Sequence, residues 1–292
     1  QNVYDELHSK IDTVINGAAL VKHFGNYEDF RNVNVLGTEE LVRFASYNGK
    51  KLCHISTTSV SGNYISQFMG TSVFTEKDFY IGQNFTENVY VRSKFEAENI
   101  VFKAMDSGLE AAVFRVGNLT GRYEDGCFQL NIDDNRFYNI LKFIITQGIV
   151  PESIADMEIE FTPVDLCSEA FTKLLLSGMA MGKVFHLFNH NYVMMRDIFN
   201  IMKKFGCNIE ITEGERFKEK LNEILKDKSK YQILKGIIPY INSGSELFGK
   251  PSVKIESKIT VGYLEKLGFK WPAIDEEYIR RILNHMKEVN FI

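Results

Sequence analysis

The 292-residue chain is predicted to be an α/β protein: a doubly wound parallel sheet followed by a smaller, mostly helical lobe. Three observations predict it. Up to about residue 190, short apolar runs alternate with helical periodicities, the pattern of a parallel sheet with helices on both faces. After about Asn191 the periodicities are dominated by helix. Small and polar clusters also sit where apolar runs stop, at Asn16-Gly17-Ala18-Ala19, Ser56-Thr57-Thr58-Ser59 and Arg115-Val116-Gly117-Asn118. The carboxyl ends of strands are where such sheets bind ligands. The expected division is therefore a core over residues 1–190 and a lobe over 191–292.

In chain order, residues 12–19 read as a short buried strand ending at Asn16. A helix follows from about Glu28 to Tyr47, with Phe30, Val33, Leu41 and Phe44 at helical spacing and Asn34 within it. Lys51 to Ile55 is the next strand. A polar stretch from Gly62 to about Asn88 is long for a compact domain and reads as a functional loop. The 87–107 pattern is helical, with Tyr90, Ala97, Val101 and Ala104 on one stripe, and Gly108 stops it. Residues 110–116 are a strand and 136–147 an amphipathic helix ending at Gly148. Phe161 to Asp165 reads as a strand end entering a helix over 165–176, and 183–189 as a strand. The lobe's helices are predicted at 195–205, 213–225, 229–238, 256–267 and 275–289.

Composition excludes several classes. With 45% hydrophobic and 25% charged residues and a formal net charge of −4, the chain reads as an ordinary globular protein with no basic face for nucleic acid. Lys218, Lys220, Lys226, Lys228 and Lys230 alternate with acidic residues as a solvated helix face does, and Glu39 and Glu40 read as helix-surface charges. Four scattered cysteines without a Cys-x-x-Cys fit a reducing cytoplasm and give neither a zinc knuckle nor a dithiol pair. No apolar run reaches the ~18 residues of a membrane span. The polar N-terminus is unlike a signal peptide, and its lack of an initiating Met implies a processed or excised segment. His186 and His190 lie in a strand and at its end, where a four-residue spacing makes no helical metal pair, so no metal site is expected.

The residues that remain point to carbonyl chemistry. Adding hydride to a carbonyl needs a proton donor at its oxygen. A tyrosine, with an ordinary pKa of about 10, is a poor donor near neutrality unless a neighbouring cation lowers it. Tyr90 and Lys94 are four apart on the predicted 87–107 helix, hence on one face. The same spacing recurs at Tyr47/Lys51 and Tyr231/Lys235, but only Tyr90 follows a strand-end hydroxyl cluster and precedes another strand–helix junction. One hydroxyl of Ser56-Thr57-Thr58-Ser59 is placed to share the developing oxyanion. Asn16 could bond backbone or cofactor, Gly17-Ala18-Ala19 would let a flat nucleotide approach closely, and Asn34 reads as a support that orients the site. No Gly-x-Gly-x-x-Gly follows a first strand, so the βαβ unit that would hold a pyrophosphate is expected to be missing from this chain.

Read in order, these segments resemble the extended short-chain dehydrogenase/reductases with a Rossmann-like core. Within them they are most similar to the thioester reductase domains that end nonribosomal peptide synthetases and carboxylic acid reductases. The carriers are Val14-Ile15-Asn16-Gly17-Ala18-Ala19, Asn32-Val33-Asn34-Val35-Leu36-Gly37-Thr38, Ile55-Ser56-Thr57-Thr58-Ser59-Val60-Ser61-Gly62, Tyr90-Val91-Arg92-Ser93-Lys94, Phe114-Arg115-Val116-Gly117-Asn118-Leu119-Thr120-Gly121, Phe161-Thr162-Pro163-Val164-Asp165 and Leu267-Gly268-Phe269-Lys270-Trp271-Pro272. The resemblance implies that residues 1–190 bind NADPH and that 191–292 receive substrate and carrier. It implies reduction of an acyl or peptidyl thioester, borne on the phosphopantetheine arm of a carrier protein, to an aldehyde or onward to the alcohol. By the same analogy Thr57, with Thr58 as the fallback, binds the oxygen, Tyr90 donates the proton, and Lys94 tunes Tyr90 and holds the nicotinamide ribose. Gly117 and Asn118 line the nicotinamide end, and Asn16, Gly17, Ala18 and Ala19 the adenine-ribose side. The competing expectations are a nucleotide-sugar epimerase or dehydratase, a fatty acyl-CoA reductase, and a degenerate domain that only docks a carrier.

Overall fold

A computed structural model describes residues 2–22, 25–47, 49–62, 72–86, 88–226 and 253–292. The chain divides into two units: Gln1–Asn118 with Cys167–His190 and Pro251–Lys270, and Leu119–Leu166 with Asn191–Lys250 and Trp271–Ile292.

The first unit is built on four parallel strands in the order β1 (Thr13–Asn16), β2 (Lys51–Thr57), β3 (Ala111–Val116) and β4 (Val184–Leu187). The sequence Ala111-Ala112-Val113-Phe114 is continuously apolar because β3 is central and buried on both faces. On one face Val113, Leu52 and Ala111 pack with Ala45 of helix α1 (Gly37–Tyr47) and Val101 of helix α2 (Val89–Asp106). On the other, Phe114 meets Phe171 of helix α3 (Val164–Leu176) edge-on, with ring centroids 4.7 Å apart. Helices thus cover both faces of a parallel sheet, as the alternation predicts.

Local chemistry sets the limits of α2. The Asn88 side chain accepts from the backbone N–H groups of Tyr90 and Val91, a cap typically worth about 1 kcal/mol, and Gly108 takes φ 100° beyond its end. The predicted helix over 28–47 is one helical path with a wide-turn segment, Arg31–Leu36, set between Tyr27–Phe30 and α1. The long polar stretch after Gly62 is not all loop. Ser72–Phe74 is a short strand paired in parallel with Val253–Ile255. Phe79 and Phe85 stack on Phe95 of α2, with centroids 4.2 and 3.9 Å away.

The second unit has its own core, in which Phe137, Tyr138, Leu141, Phe199, Met202, Phe217, Leu221, Tyr278, Ile282 and Met286 are all buried. These come from helices Arg136–Gln147, Met195–Lys204, Gly214–Lys226 and Glu276–Glu288. Three two-stranded pairs accompany them: Leu119–Thr120 with Thr162–Pro163, Ile149–Pro151 with Glu210–Thr212, and Glu158–Ile159 with Val193–Met194. A Cβ on Gly126, at φ +76°, would lie 2.3 Å from the Arg281 carbonyl carbon, so only glycine lets these two backbones meet. The expected helix at 229–238 lies outside the described residues. Among the described residues no helix is long and apolar enough to cross a membrane.

Candidate active site

The site is built where β2 ends and α2 begins. β2 stops at Thr57, whose backbone is still extended and whose Oγ1 accepts from Ser59 N at 3.2 Å, capping the 3₁₀ turn Thr58–Ser61. The turn closes at Gly62, with φ 65°. A Cβ there would lie 3.0 Å from Gln83 Cβ, so this corner also needs glycine. The cap fixes the Thr57 hydroxyl, and Tyr90, in the first turn of α2, hydrogen-bonds to it. The structure therefore brings Thr57 and Tyr90 together. Thr58 is buried beside them. Tyr47, from another Tyr/Lys pair, is 80% exposed, and Tyr231 and Lys235 lie outside the described residues.

Lys94 is buried, and its Nζ donates to the Ile55 carbonyl of β2 at 2.6 Å. Burial lowers its pKa to about 8, opposed by the nearby Glu98 carboxylate. The phenol of Tyr90 moves the other way from the expected lowering. Burial raises its pKa, and the opposing influence is the Thr57 hydrogen bond. The physical reason is the direction of the lysine, whose ammonium is drawn to the strand carbonyl. At neutral pH Tyr90 is accordingly a protonated acid.

Behind this pair runs a buried polar chain that the sequence reading missed in part. Ser93 Oγ donates to the Tyr90 carbonyl at 2.8 Å and accepts from Asn34 Nδ2 at 2.8 Å. Asn34 also clasps Leu20, accepting from its N–H at 2.7 Å and donating to its C=O at 3.0 Å. Thr38 Oγ1 donates to Asn34 O, so it must accept from Asn16 Nδ2, at 3.0 Å. The other amide hydrogen of Asn16 faces His54 Nδ1 at 3.1 Å. That makes Nδ1 the acceptor and His54 a neutral imidazole. Burial, with Lys94 nearby, holds its pKa well below the ordinary value. Asn16 thus spends its amide hydrogens inward. A polar residue inside an apolar strand, as at His54 in Leu52-Cys53-His54-Ile55, is the signal that such a partner exists.

Gly17 and Ala18 are exposed and Ala19 half-buried, and a Cβ on Gly17 would meet nothing within 4 Å. This leaves backbone open to a flat ligand just past β1. Gly117 and Asn118 follow β3 half-buried, with Gly117 N donating to Leu187 O at 3.1 Å. His186 is committed within the protein: its Nδ1 faces Glu256 O at 2.6 Å and its Nε2 faces Arg115 at 3.1 Å. Glu39 and Glu40 are exposed.

A family model described as male sterility protein, an NAD-binding domain, matches residues 1–171. The chain is 28% identical over 284 residues to a linear gramicidin synthase of Brevibacillus parabrevis, covering 97% of this chain and 5% of that protein. It therefore spans only a small part of that relative's length. A thiolation-reductase di-domain from an archaeal nonribosomal peptide synthetase superposes with a TM-score of 0.84 at 32% identity, covering 99% of this chain and 60% of that one. The terminal R domain of the myxalamid PKS-NRPS pathway does so with a TM-score of 0.86 at 26% identity, covering 100% and 72%.

Proposed function

The chain belongs to the male sterility protein family of NAD-binding domains, and from that premise we propose that it is the reductase part of a longer assembly-line protein. In this reading it releases a carrier-bound acyl or peptidyl thioester as an aldehyde, with NADPH as reductant, in the cytoplasm. The observation that carries the reading is the hydrogen bond between Thr57 and Tyr90 at the carboxyl end of β2, one helical turn from Lys94.

The residues fit a nicotinamide dinucleotide. Gly17 has open space where a Cβ would stand, beside exposed Ala18 and half-buried Ala19, and the Asn16 side chain just before them is tied inward to Thr38 and His54. Lys94 uses one ammonium hydrogen on Ile55 and has two more for ribose hydroxyls. Gly117 and Asn118 lie at the end of the neighbouring strand. When bound, the reduced nicotinamide supplies hydride to the thioester carbonyl carbon.

The chain's own residues do the rest. The Thr57 hydroxyl, fixed by its bond to Ser59 N, holds the carbonyl oxygen. Tyr90, kept protonated by burial, gives its proton to that oxygen as negative charge develops. The resulting hemithioacetal breaks its C–S bond, the thiol of the carrier arm leaves with a proton, and the aldehyde remains. Lys94, still cationic below about pH 8, stays directed at the Ile55 carbonyl and acts on the ribose, while the Thr57 hydrogen bond steadies the phenolate that is left.

The partner in this reading is a phosphopantetheinylated carrier domain. The nucleotide-sugar alternative is not favoured, because a synthetase and two reductase domains match nearly the whole chain at 26–32% identity, whereas a UDP-glucuronic acid 4-epimerase does so at 14%. The test supplies full-length protein with NADPH and an acyl-pantetheine thioester. Oxidation of NADPH matched mole for mole by a hydrazine-trapped aldehyde is expected. Cofactor binding without thioester consumption would overturn the reading.

A further inference from the structure

The chemistry above leaves unused two fully buried charges beside Lys94. Glu98 is one turn further along α2 and on the same face. Arg115, in the otherwise apolar run of β3, donates to its carboxylate through Nε at 3.1 and 3.2 Å and through Nη2 at 2.9 Å. The guanidinium is held from behind. Its Nη1 donates to the Asp78 carbonyl at 2.8 Å and faces His186 Nε2 at 3.1 Å. The His186 Nδ1 proton is taken up by Glu256 O, which leaves Nε2 as an acceptor. The Phe74 ring stacks on His186, and the guanidinium carbon lies 4.7 Å from its centroid. A bidentate arginine this constrained fixes the position and orientation of the buried carboxylate.

We propose that Glu98 is a positioning residue for the reaction, a fixed anion that keeps the Lys94 ammonium charged where solvent is excluded, and that Arg115 is its anchor. The proposal rests on the reading of Lys94 given above.

The other groups around Lys94 do not replace Glu98. On α2 Tyr90 is a neutral phenol, and on β2 His54 is a neutral imidazole with Ile55 offering only a carbonyl. Of the charges on the helical path packed against α2, Arg31 pairs with Glu28 and Arg43 with Glu40 at the surface, and Glu39 is exposed. Glu96 is taken by Tyr27 and Arg92. Burial lowers the Lys94 pKa to about 8, and the Glu98 charge acts in the opposite sense. Removing that charge lowers the lysine pKa further, so the charged form is lost at lower pH.

The test measures NADPH turnover and, separately, NADPH affinity by fluorescence across pH 6–9 on the full-length protein. For Glu98→Gln the alkaline limb of both is expected to move down by about one pH unit, a roughly fivefold loss at pH 8 with less than a twofold loss at pH 6. Glu98→Asp, which keeps the charge, should hold the limb near its original place. Glu98→Gln leaves Arg115 buried without its partner. The neutral pair Glu98→Gln/Arg115→Gln is therefore the second variant, with the same shift expected. A folded variant with an unmoved limb, or with an equal loss at every pH, would overturn the proposal. Failure of both variants to fold would reduce the pair to a structural tie and overturn it as well. Full activity in Tyr90→Phe would instead point to the underlying reading.

Discussion

Tyr90→Phe is expected to lower turnover by ~10²–10⁴-fold, the usual contribution of a positioned general acid, while leaving NADPH affinity near its original value. The substitution removes one oxygen from a half-buried ring and leaves the local frame standing. Thr57 keeps its bond to Ser59 N, and Ser93 and Asn34 still grip the backbone of that turn. The loss should therefore appear in the chemical step, read by single-turnover oxidation of bound NADPH, with the thermal midpoint little changed. Because burial raises the phenol's pKa and Thr57 only partly offsets it, the wild-type donor stays protonated throughout the neutral range. Undiminished single-turnover rates in the variant would remove Tyr90 from the reaction.

The largest expected effect on stability is at Arg115→Ala. Truncation leaves the Glu98 carboxylate buried without its hydrogen-bond donors and frees the Asp78 carbonyl and His186 Nε2. Breaking one partner out of a buried ion pair costs ~3–5 kcal/mol, a large share of an ordinary domain's stability. Urea unfolding should show the midpoint falling by the corresponding amount with an unchanged slope. Removing both charges is expected to cost less, because no uncompensated ion remains. A variant as stable as wild type would mean that the guanidinium is not in the buried network.

Much of the sheet was readable from short-range pattern. The apolar run at 111–116 and the helical stripe through Tyr90, Ala97 and Val101 each carry their own period and their own stop signal. The approach of Thr57 to Tyr90 was legible for the same reason, since one ends a strand and the other opens a helix over it. The strand pair Ser72–Phe74 with Val253–Ile255 was not. Three residues hold no period, and the partner lies some 180 positions away. The two units are each assembled from separated segments, and sequence texture does not record which distant segments pack together. The Arg115–Glu98 pair left only an indirect trace, a charge on the buried side of a helix and another inside an apolar strand. Either one alone is an anomaly, and together they are a bond. The aiming of Lys94 at Ile55 left no trace, because a side chain's choice among nearby acceptors is made by packing.

Two imidazoles sealed inside the sheet give the protein an acid limit. His54 is held neutral beside Asn16, and burial with Arg115 nearby brings His186 down to about 3. In the unfolded chain both take up a proton below about pH 6.5, while the folded form resists. Each then favours unfolding by roughly 1.4 kcal/mol per pH unit below that point, until its own folded pKa is reached. The melting temperature should therefore hold steady between about pH 7 and 8 and drop steeply between about pH 6 and 4, before most carboxylates are titrated. Exposure to a mildly acidic compartment, or an acidic elution step during purification, would inactivate the molecule by unfolding it.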